Sequence, residues 1–413
     1  VGRAALISNT TASNNTAVGR EALLSNTTGA LNVAVGSTTL DANTTGDKNT
    51  AVGQASLGSN TTADNNTAIG YAALLANTTG EYNVAVGKGS ISTNTTGEKN
   101  VAMGTDALAS NTTADNNTAI GNSALYANTT GTLNTAVGSS SLDANTTGTY
   151  NTAMGSDSLT TNTTGGENTA IGFYALRVST TGIANTAVGY GALDANTTAD
   201  NNTAVGVNAL GGNTTGTQNV AIGTSAGDSY TNGDENIIIG HTAEISGAGG
   251  HNQIVMGRGA VGNANTSFCF GEGTNDSAIA FGATSITAPS DIRLKEDIQD
   301  EEVGLDFIND LRPVTFLWKK EKDIPSDMRA HEEGSEKRTM NGKYNHGFIA
   351  QEVKETIDNH NLKEGFDMWS EDEADGRQRV APNALMSVMV KAVQELSTTV
   401  DELKQELKTL KGE

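Results

Sequence analysis

The chain has 413 residues, enough for two or three domains, yet only 4% of them are aromatic and 48 are glycine. This composition lacks the bulky side chains of a large conventional core, and it predicts a chain that is elongated or stabilised by repetition. The formal net charge of −22 argues against nucleic-acid binding, because contact with phosphates needs basic patches.

The single cysteine, Cys269, excludes an intrachain disulfide and a thiolate metal cluster, and its Ser-Phe-Cys-Phe context predicts a small buried residue. No apolar run approaches the ~20 residues needed to cross a bilayer, so we expect no membrane insertion. No cofactor or metal is expected either. The chain begins at Val1 inside a repeat, which predicts a fragment, so the lack of a signal-peptide pattern carries little weight.

A 17-residue repeat occupies residues 1–257. Each unit closes with Asn-Thr-Ala-Val-Gly or a close variant, and the step between the closing glycines is always 17 residues. These glycines are Gly2, Gly19, Gly36, Gly53, Gly70, Gly87, Gly104, Gly121, Gly138, Gly155, Gly172, Gly189, Gly206, Gly223, Gly240 and Gly257. A leucine follows the glycine by four residues in many units. So long a run at constant period predicts a solenoid, in which each turn buries its face against its neighbours.

One repeat is too short for a helical hairpin, and its alternating, β-branched Asn-Thr-Ala-Val-Gly piece is typical of a short strand. Glycine and Asn-Thr-Thr-Gly supply the turns. The prediction is one β-solenoid turn per repeat, stacked at ~4.8 Å into a shaft on the order of 70 Å long. Each turn offers roughly an Ala, a Val or Ile and a Leu, a thin core for one chain, so we expect three chains to share it.

The repeat resembles the left-handed β-roll heads of trimeric bacterial adhesins, whose units carry a similar N-x-x-A-[VI]-G signature at a shorter spacing, and related repeats in phage fibres. Asn-Thr-Thr is formally an N-glycosylation sequon, but its strict period favours a ladder of turns. Calcium-binding β-rolls need Gly-Gly-x-Gly-x-Asp nonapeptides, which are absent. A polysaccharide-cleaving site needs paired carboxylates in an aromatic-lined groove, and the repeats supply too few of either.

Residues 258–289 are predicted to be an irregular β transition that closes the shaft. His241 and His251 lie near it without a matching ligand set, which favours surface or turn histidines over a metal site. From Ser290 onward the composition changes, because 18 of the 25 lysines and arginines lie there. We expect residues 290–384 to form a small α+β domain and residues 385–413 a C-terminal coiled coil.

The α+β domain is predicted to begin with an amphipathic helix and a strand, Val314–Trp318, separated by the helix-breaking Arg312-Pro313. A polar stretch around 323–341 is expected to be a loop, and His346-Gly-Phe-Ile-Ala-Gln-Glu-Val to run from strand into helix. The apolar residues of the first helix are Val303, Leu305, Phe307, Ile308 and Leu311.

The C-terminal apolar residues follow a heptad seam with steps of 4-3-4-3-4-3. They are Met389, Val393, Leu396, Val400, Leu403, Leu407 and Leu410. The flanks mix both signs of charge, which favours an oligomerising coiled coil over a helix lying on a membrane surface.

Four motifs after residue 289 resemble the C-terminal intramolecular chaperone of phage tail fibres and tailspikes, a domain carried by endosialidase tailspikes and related to one in myelin regulatory factor. They are S-D-I-R-L-K-E-D-I, L-R-P-V-T-F-L-W-K, G-F-I-A-Q-E-V and A-L-M-S-V-M-V-K-A-V-Q-E-L. The resemblance implies a trimeric folding aid that cuts itself off after assembly. It implies Ser290 as nucleophile, Lys295 as its partner and Pro289–Ser290 as the scissile bond, although the motif does not require a proline there.

Serine is a weak nucleophile until a base takes its proton, and lysine can act as that base only when neutral. Burial or the neighbouring Arg293 would lower the lysine pKa as required. Five residues turn a helix by about 140° and reach the opposite face of a strand, so neither element joins Ser290 to Lys295. A bend, a neighbouring chain or packing in the trimer would have to do so. Considered by spacing alone, Ser290 would instead be a helix N-cap with Asp291 near the dipole.

These features together predict a mainly β protein, a trimeric solenoid shaft followed by a chaperone, acting as a phage tail fibre or appendage. The expected partners are two further copies of the chain, other virion tail proteins and a host-surface receptor. The expected location is the virion, after assembly in the host cytoplasm. Any enzymatic activity would be a single self-cleavage. The alternatives are a bacterial trimeric surface adhesin, whose β-barrel anchor pattern this chain lacks, a fibre that keeps its chaperone, and a glycan hydrolase whose catalytic domain precedes Val1.

Overall fold

The computed structural model describes residues 1–273, 275–281, 283, 292, 295–326, 328, 330–340, 342–362, 366–371 and 376–412. It divides into two compact units, Val1–Ser290 and Asp291–Glu413. The predicted solenoid, the small α+β region and the terminal helix are confirmed.

Each 17-residue repeat of the first unit contributes one short strand, and all of these strands join a single sheet. The strands are β1 (Thr16–Val18), β2 (Val33–Val35), β3 (Thr50–Val52), β4 (Thr67–Ile69), β5 (Val84–Val86), β6 (Val101–Met103), β7 (Thr118–Ile120), β8 (Thr135–Val137), β9 (Thr152–Met154), β10 (Thr169–Ile171), β11 (Thr186–Val188), β12 (Thr203–Val205), β13 (Val220–Ile222), β14 (Ile237–Ile239), β15 (Gln253–Met256), β16 (Ser267–Glu272) and β17 (Asn275–Ala280). Neighbours from β1 to β15 pair in parallel and in register, as in Ala17↔Ala34.

The stack ends in a change of pairing. β15 and β16 are still parallel, but their partners are 14 residues apart, as in Ile254↔Phe268. β16 and β17 then form an antiparallel hairpin. Cys269 in β16 is buried, as predicted.

One rung shows how a single chain closes its own core. In the rung that begins with β2, Ala34 at the strand centre, Leu40 after the corner and the two asparagines, Asn43 and Asn49, are all 0% exposed. Strand alternation places Ala34 inward and its two neighbours outward. The rung interior is therefore complete within one chain.

The last residue of each strand from β1 to β15 lies on the outer face of the sheet. We name this column the apolar stripe; its members are Val18, Val35, Val52, Ile69, Val86, Met103, Ile120, Val137, Met154, Ile171, Val188, Val205, Ile222, Ile239 and Met256. Val18 is 45% exposed and Met103 is 44% exposed. From the sequence, we expect this residue to share a core between chains with Ala and Leu. The structure separates them, with Ala and Leu inside each chain and Val, Ile or Met outside.

Two ladders of buried asparagine side chains connect the rungs. In the Asn-Thr-Thr ladder, Asn43 Nδ2 donates to Asn26 Oδ1 of the preceding rung at 2.8 Å and to the Gly46 carbonyl at 3.0 Å. In the ladder before the strands, the Asn49 backbone N–H donates to Asn32 Oδ1 at 2.9 Å. The Asn43 amide thus has partners on its own rung and on a neighbouring one, as buried polar groups require.

The ladder also shows whether the Asn-Thr-Thr triplets can serve as glycosylation sites. From Asn26 to Asn162 their asparagines are 0% exposed and their Nδ2 groups are donating. A folded rung therefore does not present these nitrogens for glycosylation. The interpretation of Asn-Thr-Thr as a turn ladder is confirmed.

The glycine at the corner of each rung is fixed by close stacking. Gly36 has φ 145°, and a Cβ there would lie 2.6 Å from the Gly53 carbonyl oxygen of the next rung. Any other residue would combine a disfavoured backbone conformation with a backbone clash. This explains why the closing glycine recurs without exception.

The end of the regular repeat contains two coupled exceptions. Position 227 is glycine where the preceding rung has Leu210, and position 230 is tyrosine where that rung has Asn213. Tyr230 is 2% exposed, and a Cβ on Gly227 would lie 2.8 Å from the Tyr230 ring. The ring fills the volume that a leucine would occupy, and its burial raises the pKa of Tyr230.

The second unit is a small α+β domain with a long helix. Its elements are α1 (Leu305–Asp310), β18 (Val314–Phe316), β19 (Asn345–Gly347), α2 (Ala350–Asn359), β20 (Trp369–Glu371), β21 (Gln378–Val380) and α3 (Leu385–Lys411). β18 pairs with β19 and β20 with β21, both antiparallel. The described residues from 324 to 340 form a loop of turns and bends, as predicted, with one isolated bridge between Lys320 and Arg338. The core joins α1, α2 and the start of α3 through Phe307, Leu311, Val353, Ile357, Met368, Leu385 and Val388.

The Asn-Thr-Thr ladder is interrupted at position 179, which gives a stability prediction. Ser179 replaces asparagine there, and within the described structure Asn162 Oδ1, which would accept from an amide at position 179, is buried without a hydrogen-bond partner. We expect Ser179→Asn to raise the free energy of unfolding by about 1–2 kcal/mol, because its amide would reach Asn162 Oδ1. The measurement is chemical denaturation followed by circular dichroism.

The matched reverse change is Asn111→Ser, which leaves Asn94 Oδ1 without its donor from the next rung. We expect it to lower the free energy of unfolding by about 1–3 kcal/mol. Equal stabilities for wild type and both variants would contradict a structural role for the ladder.

Candidate functional site

The predicted cleavage residues fall at the junction between the two units. Pro289 and Ser290 lie outside the described residues, as do Asp291 and Arg293. Lys295 is described and exposed, and its backbone N–H donates to the Ile292 carbonyl at 3.2 Å. The pairing of Ser290 with Lys295 therefore stays a prediction.

The segment after Lys295 is exposed through Asp300. Within this segment, Gln299 Nε2 donates a hydrogen bond to Asp297 Oδ1 at 3.0 Å. A lysine becomes a base near neutral pH only where burial or a nearby cation disfavours its charged form. The exposure of Lys295 means that one chain alone does not supply the burial.

Glu395 fixes the start of α1 to the long helix. The backbone N–H of Leu305, in the first turn of α1, donates to Glu395 Oε2 at 2.8 Å across 90 residues of sequence. A Cβ on Gly304 would lie 2.3 Å from that carboxylate, so a larger residue there would require the Glu395 side chain to shift. The carboxylate satisfies one of the N–H groups that a helix start leaves without a backbone partner.

Two of the sequence motifs are joined by an ion pair. Arg312, in Leu-Arg-Pro-Val, donates from Nε to Glu352 Oε2, in Ala-Gln-Glu-Val, at 2.9 Å, and a second nitrogen of Arg312 contacts Glu352 Oε1. The hydrogen bonds from Arg312 lower the pKa of Glu352, and those to Glu352 raise the pKa of Arg312. The same motifs pair as strands, with Val314 opposite Gly347.

α1 also packs against the end of α2 through aromatic edges. The Phe307 ring meets His360 and Phe366 edge-on, at centroid distances of 5.3 and 5.2 Å. His360 Nε2 lies 2.8 Å from Asp310 Oδ2. Sequence reasoning missed Glu395, His360 and the Arg312–Glu352 pair. Arg312, Glu352 and Glu395 all lie within the motifs that carry the resemblance, which was a signal, whereas His360 lies outside them.

Within the described residues, the heptad seam of α3 has no packing partner. Val393 is 65% exposed, Leu403 58% and Leu407 52%, whereas Leu385, Val388 and Ala392 at the start of the helix are buried. The first two turns of α3 therefore belong to the domain core. The rest presents its apolar residues to solvent.

His241 and His251 are exposed, as predicted for surface histidines. Across the described residues, no group of three or more His, Cys, Asp or Glu side chains is arranged to hold a metal ion. The helices that the structure describes include none with the length and apolarity needed to traverse a membrane.

Part of the second unit, including several of the ordered motifs, matches a known family model. Residues 290–362 match the family model described as the chaperone of endosialidase. The matched residues contain the predicted cleavage motif, α1, β18, β19 and α2, including the Arg312–Glu352 pair. The match covers a minority of the chain, and the long β-solenoid precedes it. No curated protein and no solved structure matches the chain significantly.

The contact between Glu395 and α1 gives a prediction for this domain. We expect Glu395→Ala to lower the free energy of unfolding of the second unit by about 1 kcal/mol, because the Leu305 N–H loses its acceptor. Glu395→Gln keeps an acceptor oxygen and should recover part of the loss. Glu406→Ala, an exposed change on the same helix, is the control. Equal midpoints of thermal unfolding for Glu395→Ala and Glu406→Ala would contradict the capping role.

Proposed function

We propose that the chain is a phage tail fibre or similar appendage, assembled as a homotrimer and located in the virion. Its C-terminal unit acts as a trimerisation chaperone and then cleaves the chain before Ser290. The observation that carries this proposal is the match of residues 290–362 to the chaperone of endosialidase family, directly after a repetitive β-solenoid. That combination fits a trimeric protein of the tail fibre or tailspike kind.

Two exposed apolar surfaces support association of the chains. The apolar stripe follows the shaft from Val18 to Met256, and the heptad seam follows α3. Continuous exposed apolar surfaces of this kind mark interaction sites in soluble proteins. Three copies could meet along both surfaces while each keeps its own closed rungs.

The repetition of the shaft explains why a chaperone is needed. Neighbouring rungs are nearly identical in sequence, so a slip of one chain by 17 residues against another would preserve most contacts between them. Where alternative registers are close in energy, register is weakly specified. A trimerising domain at one end fixes the alignment before the shafts pack together.

The proposed cleavage uses Ser290 and Lys295. Neutral Lys295 takes the Ser290 hydroxyl proton, and Ser290 Oγ attacks the Pro289 carbonyl carbon. The backbone nitrogen of Ser290 then leaves as an amine, taking up a proton. The product is an ester that joins the Pro289 carbonyl carbon to Ser290 Oγ. Water then hydrolyses the ester and releases a shaft ending in Pro289 and a fragment beginning with Ser290.

The exposure of Lys295 in one chain supports a link between cleavage and assembly. Burial against neighbouring chains would favour the neutral base that the cleavage requires. Cleavage would then follow trimer formation. This order lets the chaperone finish its task before it is removed.

The self-cleavage prediction concerns freshly expressed protein on a denaturing gel. We expect wild type to yield fragments 1–289 and 290–413, and Ser290→Ala to stay whole because the nucleophile is gone. Ser285→Ala, a matched change five residues upstream, should cleave normally. Mass spectrometry that finds no fragment beginning at Ser290 in wild type would refute the cleavage and favour a fibre that keeps its chaperone.

The assembly prediction uses the heptad seam. Leu396→Asp with Leu403→Asp places charge where apolar side chains would pack, and we expect loss of the trimer and at least about a tenfold slower cleavage. Gln405→Asp, on the opposite side of the same helix, is the control. Light scattering gives the molar mass and a time course on gels gives the rate. Unchanged cleavage in a monomeric seam variant would show that cleavage does not depend on assembly.

A further inference from the structure

The shaft carries a compact group of aromatic side chains on two adjacent rungs. The rings of Phe173 and Tyr190 are stacked, with centroids 5.7 Å apart and planes 20° apart. The Tyr174 ring lies beside both, with its centroid 3.8 Å from that of Phe173 and 6.3 Å from that of Tyr190. Phe173 is 40% exposed and Tyr190 is 51% exposed. The three rings form one accessible surface.

This group departs from the pattern of the repeat. The column of Phe173 and Tyr190, directly after the corner glycine, holds Ser139 and Ser156 on the two preceding rungs. Residues 1–257 contain eight aromatic residues, namely Tyr71, Tyr82, Tyr126, Tyr150, Phe173, Tyr174, Tyr190 and Tyr230. Three of the eight meet at this place. The rung interior needs none of these three side chains, so their clustering has no role in folding a rung.

A charged pair borders the rings. Arg177 Nη2 donates to Asp194 Oδ2 at 3.0 Å, and Arg177 Nε lies 2.9 Å from Asp194 Oδ1. The Arg177 guanidinium also lies over the Tyr174 ring, 4.5 Å from its centroid. Arginine has five N–H donors, so this pairing leaves donors for a ligand, and the carboxylate keeps acceptor capacity. We name Phe173, Tyr174, Tyr190, Arg177 and Asp194 the aromatic patch.

The aromatic patch is separate from the apolar stripe. Phe173 and Tyr190 each lie two residues beyond a stripe residue, Ile171 and Val188, on the far side of a corner glycine. The stripe is aliphatic and extends over the whole sheet. The patch is aromatic, has a charged border and is limited to two rungs, which fits a small ligand unit better than a second shaft.

The chemistry of the patch matches a sugar ring. A pyranose has one apolar face of C–H groups, which packs on aromatic rings, and a rim of hydroxyls that bind to charged donors and acceptors. The rung spacing of ~4.8 Å is comparable to the length of one pyranose unit, so successive rings suit successive sugars. The net charge of −22 on the chain disfavours a polyanion, and the paired Arg177 and Asp194 compensate one another. The best match is a neutral glycan.

We propose that the aromatic patch binds a neutral, pyranose-containing glycan, without cleaving it. Phe173, Tyr174 and Tyr190 hold the apolar sugar faces, and Arg177 and Asp194 bind hydroxyls. This proposal rests on the attachment role proposed above and assigns a chemical class to the host-surface receptor. It does not depend on self-cleavage, which is measured separately on gels.

The test is affinity gel electrophoresis of the purified assembled protein through native gels that contain mannan, dextran or galactan, with alginate as the acidic comparison. We expect at least one neutral polysaccharide to slow the wild-type protein. The variant combines Phe173→Ser, Tyr174→Ser and Tyr190→Ser, and it should bind at least about tenfold more weakly. Serine already occupies both columns in nearby rungs, at Ser156 and Ser140, so the variant should fold.

Tyr71→Ser is the matched control, because Tyr71 is exposed in the same column as Phe173 but far from the patch. It should bind as wild type does. Retardation by none of the neutral polysaccharides, retardation by alginate alone, or equal binding by the triple variant would overturn the proposal. A changed molar mass of the triple variant would also overturn it, since the patch would then be a contact between copies of the chain.

Discussion

The hydrogen bonding of buried asparagine amides between stacked rungs is the constraint on which the shaft depends. Each amide needs a partner on a neighbouring rung, as Asn43 has in Asn26, so the strands must stay parallel and in register. An insertion within one rung would leave its amide buried without a partner, at a cost comparable to a lost hydrogen bond or more. The step of 17 residues, the corner glycine and the small alanine at the strand centre all follow from this stacking.

A rung that closes on itself leaves its other apolar residues outside. Among the described residues, the stripe from Val18 to Met256 and the seam of α3 are apolar surfaces that a single chain leaves exposed. The same uniformity that makes rungs stack well makes their alignment between chains ambiguous. The C-terminal unit, with Glu395 and the Arg312–Glu352 pair holding its parts together, is unique in sequence and can define one alignment. Removing it afterwards would leave the shaft as assembled.

The sequence predicted the elements well where local periodicity determines them. The repeat, the turns at Asn-Thr-Thr, the break at Pro313 and the terminal helix required only spacing and residue type. The sequence could not show which apolar residues of a rung face inward, because Thr-Ala-Val alternates in the same way whichever side is closed. It also could not show the Leu305–Glu395 contact, which joins residues 90 positions apart. Ser290 lies outside the described residues, so its role still depends on family resemblance and chemistry.

The most direct test of the central claim, that the tail sets the alignment of three shafts, compares two preparations of residues 1–289. One is released by cleavage from the full chain, and the other is expressed without residues 290–413. The measurement is molar mass by light scattering. We expect the released shaft to be a single species of three chains and the shaft made alone to be monomeric or mixed in mass. A single three-chain species from the shaft made alone would contradict the claim.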